Sequence, residues 1–239
     1  MISSLILNNI NKKINKKNII KDVSLYINSG EIIGLLGPNG TGKTTLFYIM
    51  VGTININSGY IFLNNKNITN NPIYKRAKYG INFLPQDSSI FENLSVEHNI
   101  KAILEIQNNI NNNSNKYILN KLLHDFDLYK IRNVKGKNLS GGERRKVEIA
   151  RCLSTNPLFI LLDEPFSGID PISIKDMRNV IKYLSYLNIG ILITDHNFQE
   201  ILNICTRSYI IINGKIVYHG SKKDILNNNL VKKKYLGYC

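Results

Sequence analysis

The residues Gly37 to Thr44 read Gly-Pro-Asn-Gly-Thr-Gly-Lys-Thr and match the phosphate-binding pattern G-x-x-x-x-G-K-[ST] at every fixed position. Glycines permit tight turns, so several backbone N–H groups can converge on phosphate oxygens. We expect the Lys43 ammonium to bind the β- and γ-phosphates of a nucleoside triphosphate and the Thr44 hydroxyl to bind Mg²⁺. The predicted nucleotide-binding residues of this loop are Gly37, Pro38, Asn39, Gly40, Thr41, Gly42, Lys43, Thr44 and Thr45.

Two carboxylates end an apolar run in the second half of the chain, where Phe159–Leu162 is followed by Asp163 and Glu164. At the end of a buried strand, Asp163 is placed to help hold Mg²⁺. Glu164 points to the opposite side of the pleat, where its carboxylate can act as the general base for an attacking water. The pair therefore predicts hydrolysis of the bound nucleotide.

Gln86 and His196 are the other candidate catalytic side chains beside Glu164 and Lys43. The neutral amide of Gln86 can contact Mg²⁺ or the water, and we expect His196 to contact the γ-phosphate. Taken alone, either residue would be interpreted as an ordinary loop residue, and only the neighbouring motifs favour a catalytic role. The remaining histidines are interpreted as helix-surface or turn residues, and they are His98, His124 and His219.

The segment Leu139-Ser-Gly-Gly-Glu143 lies between the phosphate loop and the carboxylates along the chain. Ser140 is predicted to cap the following helix, whose N–H groups, from Gly141 and Gly142 onward, form a second anion site. That site faces away from the phosphate loop of the same chain, so two copies placed head to tail would complete each other's nucleotide sites. Ser167–Asp170 is expected at the same interface, with Asp170 near the nucleotide.

The elements that position these residues alternate between strand and helix. Glu31–Leu36 is predicted to be a buried strand, and a helix from about Lys43 to Val51 follows the glycine-rich loop. Phe159–Leu162 and Gly190–Thr194 are apolar throughout, as buried parallel strands are. This order predicts an α/β core.

A helical block is predicted from about Val96 to Asn156, with the asparagine-rich segment Asn108–Asn115 as a polar linker inside it. We therefore expect one domain over residues 1–239, with the core at about 1–86 and 157–239 and a helical subdomain at about 87–156. Residues 1–30 are predicted to form short strands with turns, and Asn8–Lys17 is interpreted as a loop. A further strand is predicted at Ser58–Asn64. A hairpin is predicted to turn at Asn213-Gly214, between Tyr209–Ile212 and Lys215–Tyr218.

Length and composition exclude several classes of protein. The 239 residues contain no apolar run of about 18 residues, so a membrane-spanning helix is not expected. The short apolar start Met1–Leu7 lacks the features of a secretory signal. Three separated cysteines, Cys152, Cys205 and Cys239, indicate a reducing compartment and no disulfide framework.

The net charge of +14 has two explanations. A basic surface can attract nucleic acid or anionic headgroups. Alternatively, heavy use of Lys, Asn and Ile, all with AT-rich codons, reflects genome composition. We favour the second explanation and expect no nucleic-acid partner, because the lysines are dispersed and no arginine or aromatic array accompanies them.

Taken together, the phosphate loop, the Leu139–Glu143 segment and the Asp163-Glu164 pair resemble the ATPase subunits of ATP-binding-cassette transporters, over essentially the whole chain. The resemblance implies a P-loop, RecA-like core with an N-terminal antiparallel β subdomain and an inserted helical subdomain. It also implies ATP and Mg²⁺ as ligands and a homodimer as the working unit.

Several longer segments narrow the resemblance to the ATPases of lipopolysaccharide export, with the ATPases of branched-chain amino acid importers as the alternative. A second, more distant alternative is a soluble cassette ATPase that acts on nucleic acid. The export resemblance implies two transmembrane permease subunits docked near Gln86–Val96, especially at Ile90 and Phe91, and a location on the cytoplasmic face of an inner membrane. The segments are Leu84–Val96, Gly141–Arg151, Asp163–Ser173, Thr194–Asn197 and Val231–Gly237.

Ile14 departs from the family pattern. Family members usually carry an aromatic residue that stacks on adenine, and counting back from Asp22 places that position at Ile14. An isoleucine can pack on the base but loses the ring-stacking contribution of about 0.5–1.5 kcal/mol. We therefore include Ile14 among the predicted nucleotide-binding residues and expect weak recognition of the base.

Overall fold

In a computed structural model of the chain, residues 2–106, 112–228 and 231 are described. The tail segment from Val231 to Gly237, apart from Val231 itself, and Cys239 lie outside the described residues. The strands are β1 Ser4–Ile14, β2 Lys17–Asn28, β3 Ile32–Leu36, β4 Ser58–Leu63, β5 Lys66–Asn67, β6 Ile81–Leu84, β7 Phe159–Asp163, β8 Gly190–Thr194, β9 Arg207–Ile212 and β10 Lys215–Gly220.

The strands form two sheets. An antiparallel sheet has the order β2-β1-β4-β5, and a six-stranded sheet has the order β10-β9-β3-β8-β7-β6. In the second sheet, strands β9, β3, β8, β7 and β6 are parallel, and β10 pairs antiparallel with β9 at the edge. The carboxyl ends of β3, β7 and β8 therefore meet at one edge of the sheet, where the loops after them can share a site.

The helices connect these strands and cover the parallel sheet. Within the part of the chain that the structure describes, no helix is long and apolar enough to cross a membrane. The helices are α1 Lys43–Val51, α2 Ile73–Lys78, α3 Val96–Ile106, α4 Asn112–Asp125, α5 Gly141–Leu153, α6 Pro171–Tyr186, α7 Phe198–Ile204 and α8 Lys222–Asn227.

The core has two layers, one on each face of the parallel sheet. In β3, Ile33 and Leu35 pack with α1 and the antiparallel sheet, whereas Ile32 and Leu36 pack with the apolar faces of α3–α7. Every residue of β3, β7 and β8 is buried, which explains why these strands are apolar without alternation. Each fully buried aliphatic side chain contributes about 1.5–3 kcal/mol of transfer free energy, so the strands that carry the site are firmly held.

The predicted α/β architecture is confirmed, and α1 has the predicted bounds. The turn at Asn213-Gly214 is also confirmed, because both residues have positive φ, 50° and 78°, as a tight hairpin turn requires. The described helices between residues 87 and 156 are α3, α4 and α5, apart from single 3₁₀ turns.

Three local predictions were wrong. Residues 1–30 form two long strands, and most of Asn8–Lys17 belongs to β1, because Leu7 and Ile10 point into the core while Asn9, with φ 50°, occupies an irregularity in the pairing. Asn112–Asn115 is helical, because α4 packs Leu119, Leu122 and Leu123 into the core; residues 107–111 of the predicted linker lie outside the described residues. His219 lies in β10, against the ring of Tyr209.

Candidate functional site

The phosphate loop connects β3 to α1. Gly42 has φ 102° and precedes the first residue of α1, and among the described side chains none caps this end of the helix. The free N–H groups therefore make an anion-binding end. Gly37 is required for space, since a Cβ there would lie 2.1 Å from the carbonyl oxygen of Ile211.

Lys43 is folded back onto the loop that it belongs to. Its Nζ donates to the carbonyl oxygens of Gly37, at 2.7 Å, and Pro38, at 3.0 Å. Burial lowers the pKa of Lys43, and the nearby carboxylates of Glu164 and Asp163 act in the opposite direction. The ammonium is thus held in the loop with two acidic groups close to it.

Asp163 ends β7 beside the loop, and its side chain is buried. Burial raises the pKa of Asp163, while a hydrogen bond from the Thr44 hydroxyl and the charge of Lys43 favour the ionised carboxylate. A buried carboxylate with a hydroxyl at hydrogen-bond distance supplies the hard oxygen ligands that Mg²⁺ prefers. The two residues therefore fit the cation that the sequence predicts.

Glu164 lies immediately after β7 in the left-handed region, with φ 49°. Its backbone N–H donates to the carbonyl of Thr194 at 2.7 Å, and its Oε1 lies 2.6 Å from Nε2 of His196. The second carboxylate oxygen, Oε2, is buried and has no hydrogen-bond partner within the described part of the chain. Glu164 therefore brings a partly unsatisfied carboxylate to the lining of a cavity.

Asp195 holds the loops that carry Glu164 and His196. Its carboxylate is buried and accepts hydrogen bonds from the backbone N–H of Phe166, at 2.9 Å, and of Asn197, at 2.9 Å. The loop after β7 and the loop after β8 are therefore tied together. The sequence analysis did not include Asp195, although its position next to His196 was a usable signal.

One open cavity of about 640 Å³ collects most of the predicted residues. Three residues that were not predicted, Asn15, Lys17 and Ile19, also line it. Ile14, at 38% exposure, lies at its wall. The predicted residues that line this cavity are Ile14, Asn39, Gly40, Gly42, Lys43, Thr44, Thr45, Gln86, Glu164 and His196.

The Leu139–Glu143 segment lies elsewhere. Ser140 caps α5 through a reciprocal capping box with Glu143, as the sequence predicted. Ser140 and Gly142 line a separate cavity of about 380 Å³, whereas Gly141 lines another of about 250 Å³ that it shares with Gln86 and Glu164. The segment is thus outside the wall of the phosphate cavity in its own chain.

Asp170 also lies outside the phosphate cavity. Its carboxylate accepts a hydrogen bond from the N–H of Ser173 at 3.0 Å, in the first turn of α6. A Cβ at Gly141 would lie 2.6 Å from the carbonyl oxygen of Gly168, so the Ser167–Asp170 loop and the Leu139–Glu143 segment are neighbours.

Arg145 links the segment around Gln86 to α5 and β7, and the sequence analysis missed it. Its guanidinium donates to the carbonyl oxygens of Pro85, at 2.9 Å, and Asp163, at 3.2 Å, and pairs with Glu148 at 2.8 Å. Glu148 in turn accepts from the Ser88 hydroxyl at 2.7 Å and the Ser89 N–H at 2.6 Å. The signal was present in the sequence, because an Arg and a Glu three residues apart occupy the same face of a helix.

A second cavity, of about 310 Å³, lies between the parallel sheet and the helical block. We call this cavity the groove. Ile90 and Phe91, where docking of the permeases was predicted, are not among the residues that line it, and Ile90 is 8% exposed and packs in the core. Phe91 is 46% exposed and therefore not a core aromatic, and its ring centre lies 4.4 Å from the guanidinium of Arg151, a residue that lines the groove. The groove is lined by Val51, Thr53, Ile73, Ala77, Ile81, Asn82, Phe83, Leu84, Ser89, Ile103, Glu148, Arg151, Cys152 and Thr155.

A glycine-rich loop between a parallel strand and a helix, with an Asp and a Glu at the end of a neighbouring strand, defines a P-loop nucleoside triphosphatase. Residues 20–167 match the family model described as ABC transporter. The chain belongs to this family of ATP-binding-cassette ATPases.

Relatives match over the full length. The chain is 45% identical over 236 residues to the lipopolysaccharide export system ATP-binding protein LptB of Escherichia coli strain K12, covering 99% of this chain and 98% of the relative. The LptB of Haemophilus influenzae is also 45% identical over 236 residues, with the same coverage. Among solved structures, the ADP conformation of MJ1267, an ATP-binding cassette of an ABC transporter, gives a TM-score of 0.87 at 29% identity, over 98% of this chain and 99% of that one.

Proposed function

We propose that the chain is the ATPase subunit of an exporter that extracts lipopolysaccharide from an inner membrane and moves it toward the outer membrane. The observation that carries this proposal is the 45% identity to LptB over 99% of the chain. The complete phosphate site supports it, because every residue type that ATP hydrolysis requires is present.

ATP binding depends on the loop and the end of α1. The phosphates are held by the N–H groups at the start of α1 and by Lys43, which exchanges the Gly37 and Pro38 carbonyl oxygens for phosphate oxygens. Ile14 and Ile19 hold the base by apolar contact. Thr44, Asp163 and Gln86 would hold Mg²⁺, which would neutralise charge on the phosphates.

Hydrolysis depends on Glu164 and His196. Glu164 accepts a proton from the attacking water, and the position of Glu164 in the lining of the phosphate cavity supports this role. His196 leaves Glu164 to donate to the γ-phosphate. The bond of 2.6 Å between these two side chains keeps both at one edge of the cavity before ATP arrives.

The working unit in this proposal is a homodimer. Ser140, Gly141, Gly142 and Asp170 lie outside the wall of the phosphate cavity of their own chain, and a second copy placed head to tail brings them to the nucleotide. The helix end capped by Ser140 supplies N–H groups for the γ-phosphate of the other copy.

In the homodimer, the groove of each copy receives one transmembrane permease subunit. The two permease subunits are of the type called LptF and LptG in lipopolysaccharide export. It lies beside the segment Gln86–Val96, and Phe91 presents an exposed aromatic ring at its rim. This docking places the ATPase on the cytoplasmic face of the inner membrane. The ATPase is a single nucleotide-binding domain, with its core at residues 1–86 and 157–239 and its helical subdomain at residues 87–156.

The test is reconstitution of the complex. The ATPase is purified from native membranes with the membrane proteins that accompany it, placed in vesicles that contain lipopolysaccharide, and supplied with Mg²⁺ and ATP. We expect ATP-dependent extraction of lipopolysaccharide, and we expect the variant Lys43→Ala to extract none.

A matched assay uses vesicles with a leucine gradient in place of lipopolysaccharide. Leucine transport without lipopolysaccharide extraction would contradict the proposed cargo and favour the branched-chain amino acid importer. ATP hydrolysis with neither cargo, together with salt-sensitive RNA binding by the purified chain, would favour the non-transport class.

A further inference from the structure

Arg76 is a buried arginine in α2, at 2% exposure. Among the described residues no acidic side chain forms an ion pair with it, and residues 32–86 contain no Asp or Glu. Burial lowers the pKa of Arg76 to about 10, so the guanidinium remains charged at neutral pH. Burying a charge without a counter-charge is costly, so the groups that receive the guanidinium decide whether the position is stable.

The receiving groups are all backbone carbonyls. Nη1 donates to the carbonyl oxygens of Ile49, at 2.7 Å, and Met50, at 2.9 Å. Nη2 donates to Thr69 at 2.7 Å, and Nε donates to Asn71 at 2.8 Å. The guanidinium thus joins the end of α1 to the turn that leads into α2.

The two carbonyls belong to the last turn of α1, at the negative end of the helix dipole, and apart from the N–H of Gly52, which donates to Ile49 at 3.2 Å, helical donors are scarce there. A cation there is favourable. Gly52 makes room for it, since a Cβ at Gly52, whose φ is 86°, would lie 2.9 Å from Nε of Arg76. The same glycine ends α1, so one residue both terminates the helix and admits the guanidinium.

The opposite end of α1 carries the phosphate loop. The helix has nine residues, and at 1.5 Å per residue its ends are about 13 Å apart. The helix is too short to bend appreciably, so a tilt at Ile49 and Met50 reorients the N–H groups beside Lys43. The end that Arg76 holds therefore affects the end that binds phosphate.

The residues beside Arg76 face the groove. Ile73 and Ala77, from the same helix, line it, and so does Phe83, whose ring lies edge-on to Phe47 and Tyr48 of α1 at 6.0 Å and 5.7 Å. One wall of the groove is thus in contact with α1 by an arginine clamp and by an aromatic cluster. A segment that occupies the groove therefore contacts α2, and Arg76 attaches α2 to α1.

We propose that Arg76 is a positioning residue that fixes the phosphate-loop helix to the groove wall and transmits groove occupancy to the phosphate site. This inference rests on the proposed function in one respect, which is that a membrane partner occupies the groove. Arg76 itself touches neither nucleotide nor partner and acts through α1 and α2.

The experiment compares the parent with Arg76→Lys, Arg76→Met and the control Arg207→Lys. Arg207 is a matched control because it also makes several hydrogen bonds, to Tyr209 Oη at 2.7 Å, the Tyr26 carbonyl at 2.8 Å and Glu31 at 3.1 Å, but joins the two sheets away from α1. For each full-length chain, the ATP dissociation constant and the thermal midpoint are measured. The ATPase rate is then measured alone and in the complex with co-purified membrane proteins.

We expect Arg76→Met to weaken ATP binding and to reduce stimulation by the membrane proteins about fivefold or more, the lower range of allosteric coupling, while the membrane proteins still co-purify. Arg76→Lys keeps the charge but not the fork of donors, so it should lie between the parent and Arg76→Met. Arg207→Lys should lower the thermal midpoint without changing stimulation. Should Arg76→Met fail to fold, Arg76→Lys provides the comparison.

Unchanged ATP affinity and unchanged stimulation in both Arg76 variants would overturn the inference, and so would an equal loss of stimulation in Arg207→Lys. A parent that binds no membrane protein at all would overturn the docking assignment of the proposed function. In that case ATP affinity alone tests whether Arg76 positions α1. Weaker ATP binding in the Arg76 variants, but not in Arg207→Lys, would still support that role.

Discussion

The phosphate cavity and the groove are in contact with the same helix, α1, but they are built differently. The phosphate cavity is lined by the loops after β3, β7 and β8, by Gln86, and by residues 14–19 at the ends of β1 and β2, and we propose a chemical role for most of its polar groups. The groove is bounded by apolar side chains, small polar groups and the charged side chains of Glu148 and Arg151. The phosphate cavity suits a ligand of fixed chemistry, whereas the groove suits a partner segment of complementary shape.

This difference explains which site can be recognised in a sequence. Phosphate and Mg²⁺ require particular residue types at particular spacings, so the loop, Asp163 and Glu164 are recognisable without a structure. A groove requires only that several surfaces leave a space of the right form. Residues such as Ala77 and Thr155 carry no sign of that in their own sequence context.

The largest expected effect separates the two sites completely. Glu164→Gln keeps the shape of the side chain and removes the proton acceptor, so hydrolysis should fall by about 10²–10⁴-fold, the range attributed to general bases. ATP binding and co-purification of the membrane proteins should persist, and dimers should accumulate with ATP. Turnover of purified variant and parent is compared in a phosphate-release assay.

Glu105→Gln is the control, because Glu105 is an exposed residue of α3 in a surface pair with Lys101. It should behave as the parent does. If Glu164→Gln turned over at close to the parent rate, the assignment of the base would be wrong.

The groove is tested at Phe91. Replacement by Ala removes an exposed ring at its rim, and loss of an aromatic anchor at an interface typically costs about 2 kcal/mol or more. Folding and basal ATPase should be preserved, since the ring is 46% exposed, while co-purification of the membrane proteins should be lost. Pull-down from native membranes measures this.

Tyr26→Ala is a closely matched control. Tyr26 is 45% exposed and has an arginine, Arg207, 4.0 Å from its ring centre, as Phe91 has Arg151. Equal loss of partners in both variants would mean that the effect is not specific to the groove. Retention of partners in Phe91→Ala would move the docking surface elsewhere.

The smallest expected effect concerns Ile14, at the edge of the phosphate cavity, which stands where family members usually carry an aromatic residue. Ile14→Tyr should tighten ATP binding by about 1 kcal/mol, or about fivefold, through ring stacking. Turnover at saturating ATP should stay nearly unchanged, because stacking is equal in the ground and transition states. The parent should discriminate weakly between ATP and GTP, and nucleotide titrations of both proteins measure these effects.

Val217→Tyr serves as the control, since Val217 is 37% exposed on another strand and Ile14 is 38% exposed. A tyrosine there should leave ATP affinity alone. Unchanged affinity in Ile14→Tyr would show that another side chain covers the base, and Asn15 and Lys17, which line the same cavity, are the residues to replace next.

The sequence predicted the buried parallel strands and α1 because each has a local cause, such as an apolar run or a glycine-rich loop. It did not predict the length of β1, since Asn and Lys occupy its exposed positions and its irregularities, and only pairing with β2 and β4 makes it one strand. Arg145 and Arg76 were missed for a related reason. Most of their partners are backbone carbonyls of other segments, which carry no residue-type signature, and only the pairing of Arg145 with Glu148 had a local signal, the spacing of three residues.

The left-handed backbone of Glu164 has an evolutionary consequence. A non-glycine residue with φ near 49° costs on the order of 1 kcal/mol or more relative to glycine, so the fold alone would favour glycine at this position. Selection for stability and selection for turnover therefore act in opposite directions on a single codon. In a library of variants screened for heat resistance, Glu164→Gly should be enriched, and the enriched variant should have lost ATP hydrolysis.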